Sequence, residues 1–558
     1  MRIFILMFLV ILSFIPLNAQ ESLLTILSDE LKREKTYLDS LPIPPYYLDY
    51  RCNDISSLMV TSSFGSLTAS NFYRMRLVAV DMRVGDYTFD NTHEIPNGGY
   101  DNMLSYPSLT AISLDNKALA IKQSLWQLTS DAYKGAVNKF QLVKSSAGET
   151  SQKKSLADFS KESPSIYEDT AKIDIAKEIQ KDVWEKKVKL YSDVFSKDSI
   201  ISKAEAMATF IFDTKYLVSS EGSRIKEHSY FSQVVIALVI KSKTNELVPL
   251  VRTFNATLPS KLPSDSLILS DCRQMLTELY ALRNANTAEP FSGPAIFSPA
   301  ASGVFFHEIF GHRIEGQRMN SETDGQTFRD KVNSKVMPSF ISVYSDPGAN
   351  VYNGTELLGS YKYDEQGING QRVEVVKDGI LKNFLMSRTP LDNFMHSNGH
   401  GRAQAGMNPT SRQSNLFIES TKTVDMKELR KKLISECKKQ GKAYGYYFKD
   451  VSSGFTLTDR SNPNAFKVMP IIVYRIYTDG RPDELVRGVD MIGTPLNMFS
   501  EIEATSGEYG VFNGICGAES GGIPVSTIAP AIFVKKVETQ KQANTSFVFP
   551  MLRRPDLQ

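Results

Sequence analysis

Residues 302–317, SGVFFHEIFGHRIEGQ, set two histidines and a glutamate inside a strongly apolar run. His307 and His312 stand five residues apart, whereas the familiar H-E-x-x-H zinc helix spaces its histidines by four. At about 100° per residue, a gap of four brings two rings within about 40° of each other, and a gap of five separates them by about 140°. An unbroken helix would therefore keep these imidazoles apart. Gly311 precedes the second histidine, and a glycine there can leave helical dihedrals and swing His312 back towards His307. The stretch thus predicts a buried helix near 300–310 that stops or bends at the glycine. Val304, Phe305, Phe306, Ile309 and Phe310 cover every face of that helix, so ionisable groups within it are costly unless paired or bound to metal.

These residues leave two readings open: one shared metal, or two separately hydrogen-bonded imidazoles. The chain has only six histidines, and His93, His228, His396 and His400 form no comparable cluster. Two histidines do not complete a site, because catalytic zinc usually takes about three protein ligands and keeps one open position. The best distant donor is Cys516 in FNGICGAESGGIP, where glycines on both sides let the backbone fold tightly around a thiolate. A small buried thiol fits that position equally well. Glu308, beside a ligand rather than at a ligand position, suits a general base for water at the metal, or an acceptor behind the site.

The rest of the chain frames this core. At 558 residues it exceeds a single small core, and 42% hydrophobic with 23% charged residues describes a globular protein. The formal net charge of +2, with no basic run, argues against a nucleic-acid partner. The opening MRIFILMFLVILSFIPLNAQES has a basic residue, an apolar run and a small-residue cleavage site, and reads as a signal peptide over 1–19. It implies export, to a periplasm or the extracellular space, with no stable membrane span once the leader is removed. Four widely spaced cysteines do not make a disulfide scaffold, and Cys272 and Cys437 read as core or structural thiols.

Residues 20–290 read as an N-terminal α+β domain: helix-like runs near 21–38, 117–140 and 175–191, β-rich alternation at 46–92 and 205–255, and a polar, exposed loop near 144–167. Residues 291–558 read as a second domain of many short strands, with one clear helix after Asp425 and Glu428 and ending at Gly441. The expected fold class is α+β: an N-terminal mixed α/β-type domain, then a C-terminal domain rich in antiparallel sheet that carries the metal-site helix.

The ordered motifs then acquire a specific resemblance. HEIFGH followed by EG, GICG, YKYDEQGINGQRVEVVKDGILKNFLMSR, GHGRAQAGMNPTSRQSNLFIE and LVRGVDMIGTPL are similar, in order, to segments of the TldD/PmbA family of zinc metallopeptidases, formerly called modulators of DNA gyrase. The resemblance covers about residues 290–535 and is weaker before them. It implies one zinc per chain held by His307, His312 and Cys516, with Glu308 as catalytic base in a metallopeptidase of the H-E-x-x-x-H type. It also implies extended or unfolded peptide substrates and a dimer, either a homodimer or a heterodimer with a related chain. Arg402, Arg412 and Asn415 are candidates to hold substrate backbone or to stabilise the site. The rival reading is a non-catalytic, metal-containing peptide-binding subunit of a protease complex. Two residues depart from the pattern: Gln317 where an aspartate commonly stands, and Ala518 where a lysine does. Both remove charge near the expected site.

Overall fold

The computed structural model describes residues 21–95, 107–147, 156–243, 246–320, 326–456, 466–493 and 495–542. The expected signal peptide lies outside them. Two sheets organise the chain, one built from residues 45–256 and the other from 286–541. The α+β expectation holds, with antiparallel pairing dominant in both.

Strict alternation builds the first sheet. In Ile201–Ser219, Ala204, Ala206, Ala208, Phe210 and Phe212 are buried at every second position, so one face of the strand meets a core. The long strands Pro45–Ser63, Ser66–Val84, Ile201–Ser219, Arg224–Lys241 and Leu247–Ala256 pair antiparallel, while Ile166–Glu168 adds a short parallel edge. Helices Leu23–Leu38 and Ala118–Ala147 cover one end of the sheet. Lys181–Asp193 and Asp265–Asn284 cover the other, where Cys272 is a core residue.

Two expectations need correction in this half. The helix expected over 175–191 is two helices, Ile175–Glu178 and Lys181–Asp193, broken at Gln180. The break lets Ile179 bury, while the Glu178 carboxylate accepts from the Ser260 amide and hydroxyl. The segment 144–167 is not exposed throughout. The helix Ala118–Ala147 runs into it, residues 148–155 lie outside the described set, and Phe159 is only 1% exposed. Its ring is sandwiched between the Arg83 and Arg388 guanidinium groups, at 3.7 and 3.8 Å. Buried cations on an aromatic face explain why so polar a segment docks.

The second sheet is centred on the hairpin of Ile502–Ala518 and Gly521–Lys541, flanked by Phe291–Phe297 and Tyr444–Thr456. Alternation again assigns the faces. Ala295, Phe297, Ile532 and Val534 join the core around helix Pro299–Ile309, whereas Ile296, Ala531 and Phe533 pack against helix Met426–Lys439. Both helices start on side-chain caps. Ser298 accepts from the Ala301 amide at 3.1 Å with Pro299 in the first turn, and Asp425 accepts from the Glu428 amide at 2.7 Å. Gly441, at φ +66°, follows the end of the second helix as expected.

The two halves meet through paired charges and buried donors. Lys215 pairs with Glu365 at 2.5 Å, Arg252 with Asp450 at 2.9 Å, and Arg51 donates to the Met407 carbonyl at 2.8 Å. All four cysteines are free and buried. Among the described residues no helix is long and apolar enough to cross a membrane.

Candidate metal centre

Helix Pro299–Ile309 stops one residue before the glycine, and Gly311–Ile314 continues as a 3-10 turn. The tighter turn, about three residues per revolution, rotates His312 back over His307, and the ring centroids lie 5.1 Å apart. Arg313 secures the transition: its Nη1 donates to the carbonyls of Glu308 at 3.2 Å and Ile309 at 3.0 Å, which the ending helix leaves open. Gly311 is required for a different reason from the expected one. Its φ is not in the left-handed region, but a Cβ there would lie 1.9 Å from Gln413 Oε1. Gln413 crosses over the glycine and donates to the His307 carbonyl at 3.4 Å.

Cys516 comes from the opposite side, on Ile502–Ala518 across from Ile523. Its Sγ lies 3.3 Å from His312 Nε2. Donor atoms of His307, His312 and Cys516 all fall within 4.8 Å of one another, and all three residues are buried. A tetrahedral zinc with nitrogen and sulfur bonds of about 2.0–2.3 Å holds its ligands about 3.6 Å apart, so this cluster is of the right size. His307 Nδ1 is buried with no hydrogen-bond partner. His312 Nδ1 faces Glu315 Oε2 at 3.2 Å, leaving Nε2 on the sulfur side. Two imidazoles and a thiolate are a zinc-type donor set, and the residues fit the ion.

The electrostatics agree. Burial alone would raise the Cys516 thiol, but His312 and His307 outweigh it and hold the group well below the usual thiol range. Burial disfavours the His312 imidazolium, yet Cys516 and Glu315 hold it well above its ordinary value. Glu315, fully buried, would also be raised by burial; His312 and Arg318 bring it down to about 2.

Glu308 lines the same space. Its Oε2 is 4.0 Å from His312 Nε2, and its carboxylate has no hydrogen-bond partner among the described residues. Gly454 makes room for it, since a Cβ there would lie 2.5 Å from Glu308 Cγ. The cavity has a volume of about 450 Å³, and the three cluster residues and Glu308 are among those that line it. Gln233 and Thr253, from the first sheet, also line it, so the cavity lies between the two halves.

Arg402, Arg412 and Asn415 are not among the cavity-lining residues, and all three are buried. Arg402 donates to the carbonyls of Gln413 and Pro524, and Asn415 to those of Asp346 and Ala349. Arg412 donates to the carbonyls of Cys516 and Gly521 and to Ser520. Gln317 donates to Glu519 at 2.8 Å, and Ala518 lines the cavity. Sequence reasoning missed Arg318 and Glu519, an ion pair at the cavity at 3.0 Å, and also Gln233, Thr253, Gln413 and Gly454. Only Gly454 carried a local signal, an isolated glycine in a strand.

Fold and site together define an α+β protein with a buried cluster of two histidines and one cysteine that could hold a metal ion. The family model of the PmbA/TldA metallopeptidase C-terminal domain matches residues 291–541. Residues 291–541 are thus similar to the C-terminal domain of PmbA/TldA metallopeptidases. It is 27% identical over 231 residues to a metalloprotease of Methanocaldococcus jannaschii, covering 41% of this chain and 47% of that protein. It is 25% identical over 274 residues to a zinc metalloprotease TldD homolog of Saccharolobus solfataricus, covering 48% and 57%. The matches thus span about half the length of these curated relatives. Thermococcus kodakarensis TldE has the same fold, with a TM-score of 0.62 at 14% identity over 92% of this chain and all of that one.

Proposed function

We propose that this chain is a zinc-dependent peptidase that hydrolyses peptide bonds in extended or unfolded peptides. The observation that carries the reading is the convergence of His307, His312 and Cys516 with an uncommitted Glu308 carboxylate in one cavity. His307, His312 and Cys516 hold the ion. Zinc bound there supplies Lewis acidity, polarising a scissile carbonyl and acidifying water. Glu308 takes the proton from the attacking water on its carboxylate and passes it to the departing amine. The wall formed by Gln233 and Thr253 restricts the space in which a peptide can lie. Arg402, Arg412 and Asn415 do not line the cavity and spend most of their donors on protein acceptors, which favours a structural over a substrate-holding role.

The same proposal includes three features that rest on sequence. The apolar opening run supports export with loss of residues 1–19, and the change of sheet between Ala256 and Asn286 supports a domain division near residue 290. Family resemblance supports a dimer, of identical or related chains. Names of relatives as metalloproteases, one of them zinc-dependent, favour catalysis over a purely binding subunit.

The test is Glu308→Gln, which keeps side-chain shape and removes the proton acceptor. Cleavage of a panel of unfolded peptides should fall about 10²–10⁴-fold while zinc content and folding persist. Equal cleavage by both proteins would sink the assignment of Glu308. No cleavage by the zinc-loaded, unchanged protein, with peptide binding intact, would favour the binding-subunit reading.

A further inference from the structure

The metal cluster is assembled from two segments that lie far apart in the chain, 307–312 and the hairpin around Cys516. Among the described residues no main-chain hydrogen bond joins 311–319 to 516–521. Side chains must fix the distance between the histidine turn and the thiolate strand: Gln317 and Arg318 both reach Glu519, and a second, more deeply buried link runs through Arg412.

Arg412 grips the hairpin. Fully buried, its Nη2 donates to the Cys516 carbonyl at 2.7 Å, and its Nη1 to Ser520 Oγ at 2.8 Å and to the Gly521 carbonyl at 3.1 Å. The guanidinium thereby spans the turn from the ligand residue to the start of the next strand. Its Nε lies 3.5 Å from Glu315 Oε1, an ion-pair contact in which neither atom makes a hydrogen bond among the described residues. The other oxygen of Glu315 meets His312 Nδ1 at 3.2 Å and Arg318 Nε at 2.9 Å. Two side chains therefore connect the Cys516 backbone to the His312 ring, and neither lines the cavity.

We propose that Arg412 and Glu315 act together as positioning residues that set the separation of Cys516 and His312, and so the affinity and sulfur environment of the bound metal. The inference rests on the metal-binding part of the proposed function, not on its peptidase part. With its Nδ1 proton directed at Glu315, His312 would present the Nε2 lone pair to the ion. Arg412 meets three acceptors and a carboxylate with one rigid planar fork; a lysine ammonium, a point charge on a flexible stem, satisfies only part of that set. The role differs from substrate holding in what it predicts: removal changes metal affinity rather than KM alone.

The experiment uses the full chain and its variants Arg412→Gln, Arg412→Lys, Glu315→Gln and the double Arg412→Gln/Glu315→Gln. Zinc affinity is read by competition with a chromophoric chelator, and the sulfur environment by the thiolate-to-metal band of the cobalt-substituted protein. Removing an outer partner of a metal ligand typically weakens metal binding about 10–100-fold, and each glutamine variant should fall in that range. The cobalt band should shift in both, with Arg412→Lys intermediate. Because the two residues form one link, the double variant should lose less than the two single losses combined. Thermal unfolding of the chelator-treated proteins should change little by comparison. Unchanged zinc affinity and cobalt spectra would overturn the proposal. So would strictly additive losses with Arg412→Lys no better than Arg412→Gln, which describe separate packing effects. Should Arg412→Gln fail to fold, Arg412→Lys and Glu315→Gln carry the same comparison with the same outcomes. Weakened zinc in the variants, with no peptidase activity in the unchanged protein, removes the peptidase reading and leaves this link standing. Full activity with unaltered zinc does the reverse.

Discussion

Glu308 and His312 face one cavity from adjacent turns of chain, yet the structure holds them in opposite ways. His312 is fixed on both ring nitrogens, by Glu315 on one side and Cys516 on the other. Behind it, Arg318 and Arg412 bracket the Glu315 carboxylate. Among the described residues, Glu308 has only the distant His312 ring at 4.0 Å and a glycine against its stem. A metal ligand gains from rigid orientation, because its lone pair must point at one place. A proton acceptor that were already saturated with hydrogen bonds would have no capacity left for water. The difference separates holding from reacting within a few residues of chain.

Four changes would break or sharpen this contrast. The largest effect should come from Cys516→Ala, which removes the cluster's thiolate. Elemental analysis should find that stoichiometric zinc is lost, and activity with it; zinc retained at one per chain would dissolve the assigned cluster. Next comes Gly454→Ala, whose Cβ would collide with Glu308 Cγ. Displacing a reacting group by about 1 Å can cost about 10²-fold, so kcat should fall by that order while zinc content stays at one per chain. A normal rate would mean that Glu308 need not stand where it does.

Gly311→Ala should act on the ligand side instead. The new methyl would strike Gln413, and overpacking of this kind typically costs about 1–3 kcal/mol, measurable by denaturant unfolding. Pairing it with Gln413→Ser should restore much of the loss, and no restoration would show that the glycine serves another purpose. The smallest effect belongs to Arg318→Gln. Arg318 reaches His312 through Glu315, so zinc affinity should drop by less than the roughly 10-fold typical of direct outer partners. A larger drop would place Arg318, rather than Arg412, at the centre of the support.

Much of the site could be read before any coordinates, because its chemistry is concentrated. His307, Glu308, Gly311 and His312 sit within six residues, and the five-residue gap itself required the helix to end where it does. Cys516 was legible only because glycines surround it. The buried arginines were harder. Arg402 and Arg412 lie in a glycine-rich loop and look like exposed substrate contacts, but their partners are carbonyls whose positions depend on the tertiary fold. Phe159 failed for the same reason: its serine- and lysine-rich surroundings imply solvent, while the two arginines that cover it come from residues 83 and 388. Gln233 and Thr253 lie on alternating strands, where nothing local separates a cavity wall from an ordinary sheet face.

The most direct measurement is zinc-edge X-ray absorption on the purified, unmodified chain, combined with metal analysis. The account predicts one zinc per chain, with two imidazole nitrogens at about 2.0–2.1 Å, one sulfur at about 2.3 Å, and a fourth light-atom position. A zinc shell without sulfur, or a folded chain that takes up no stoichiometric zinc, would contradict it.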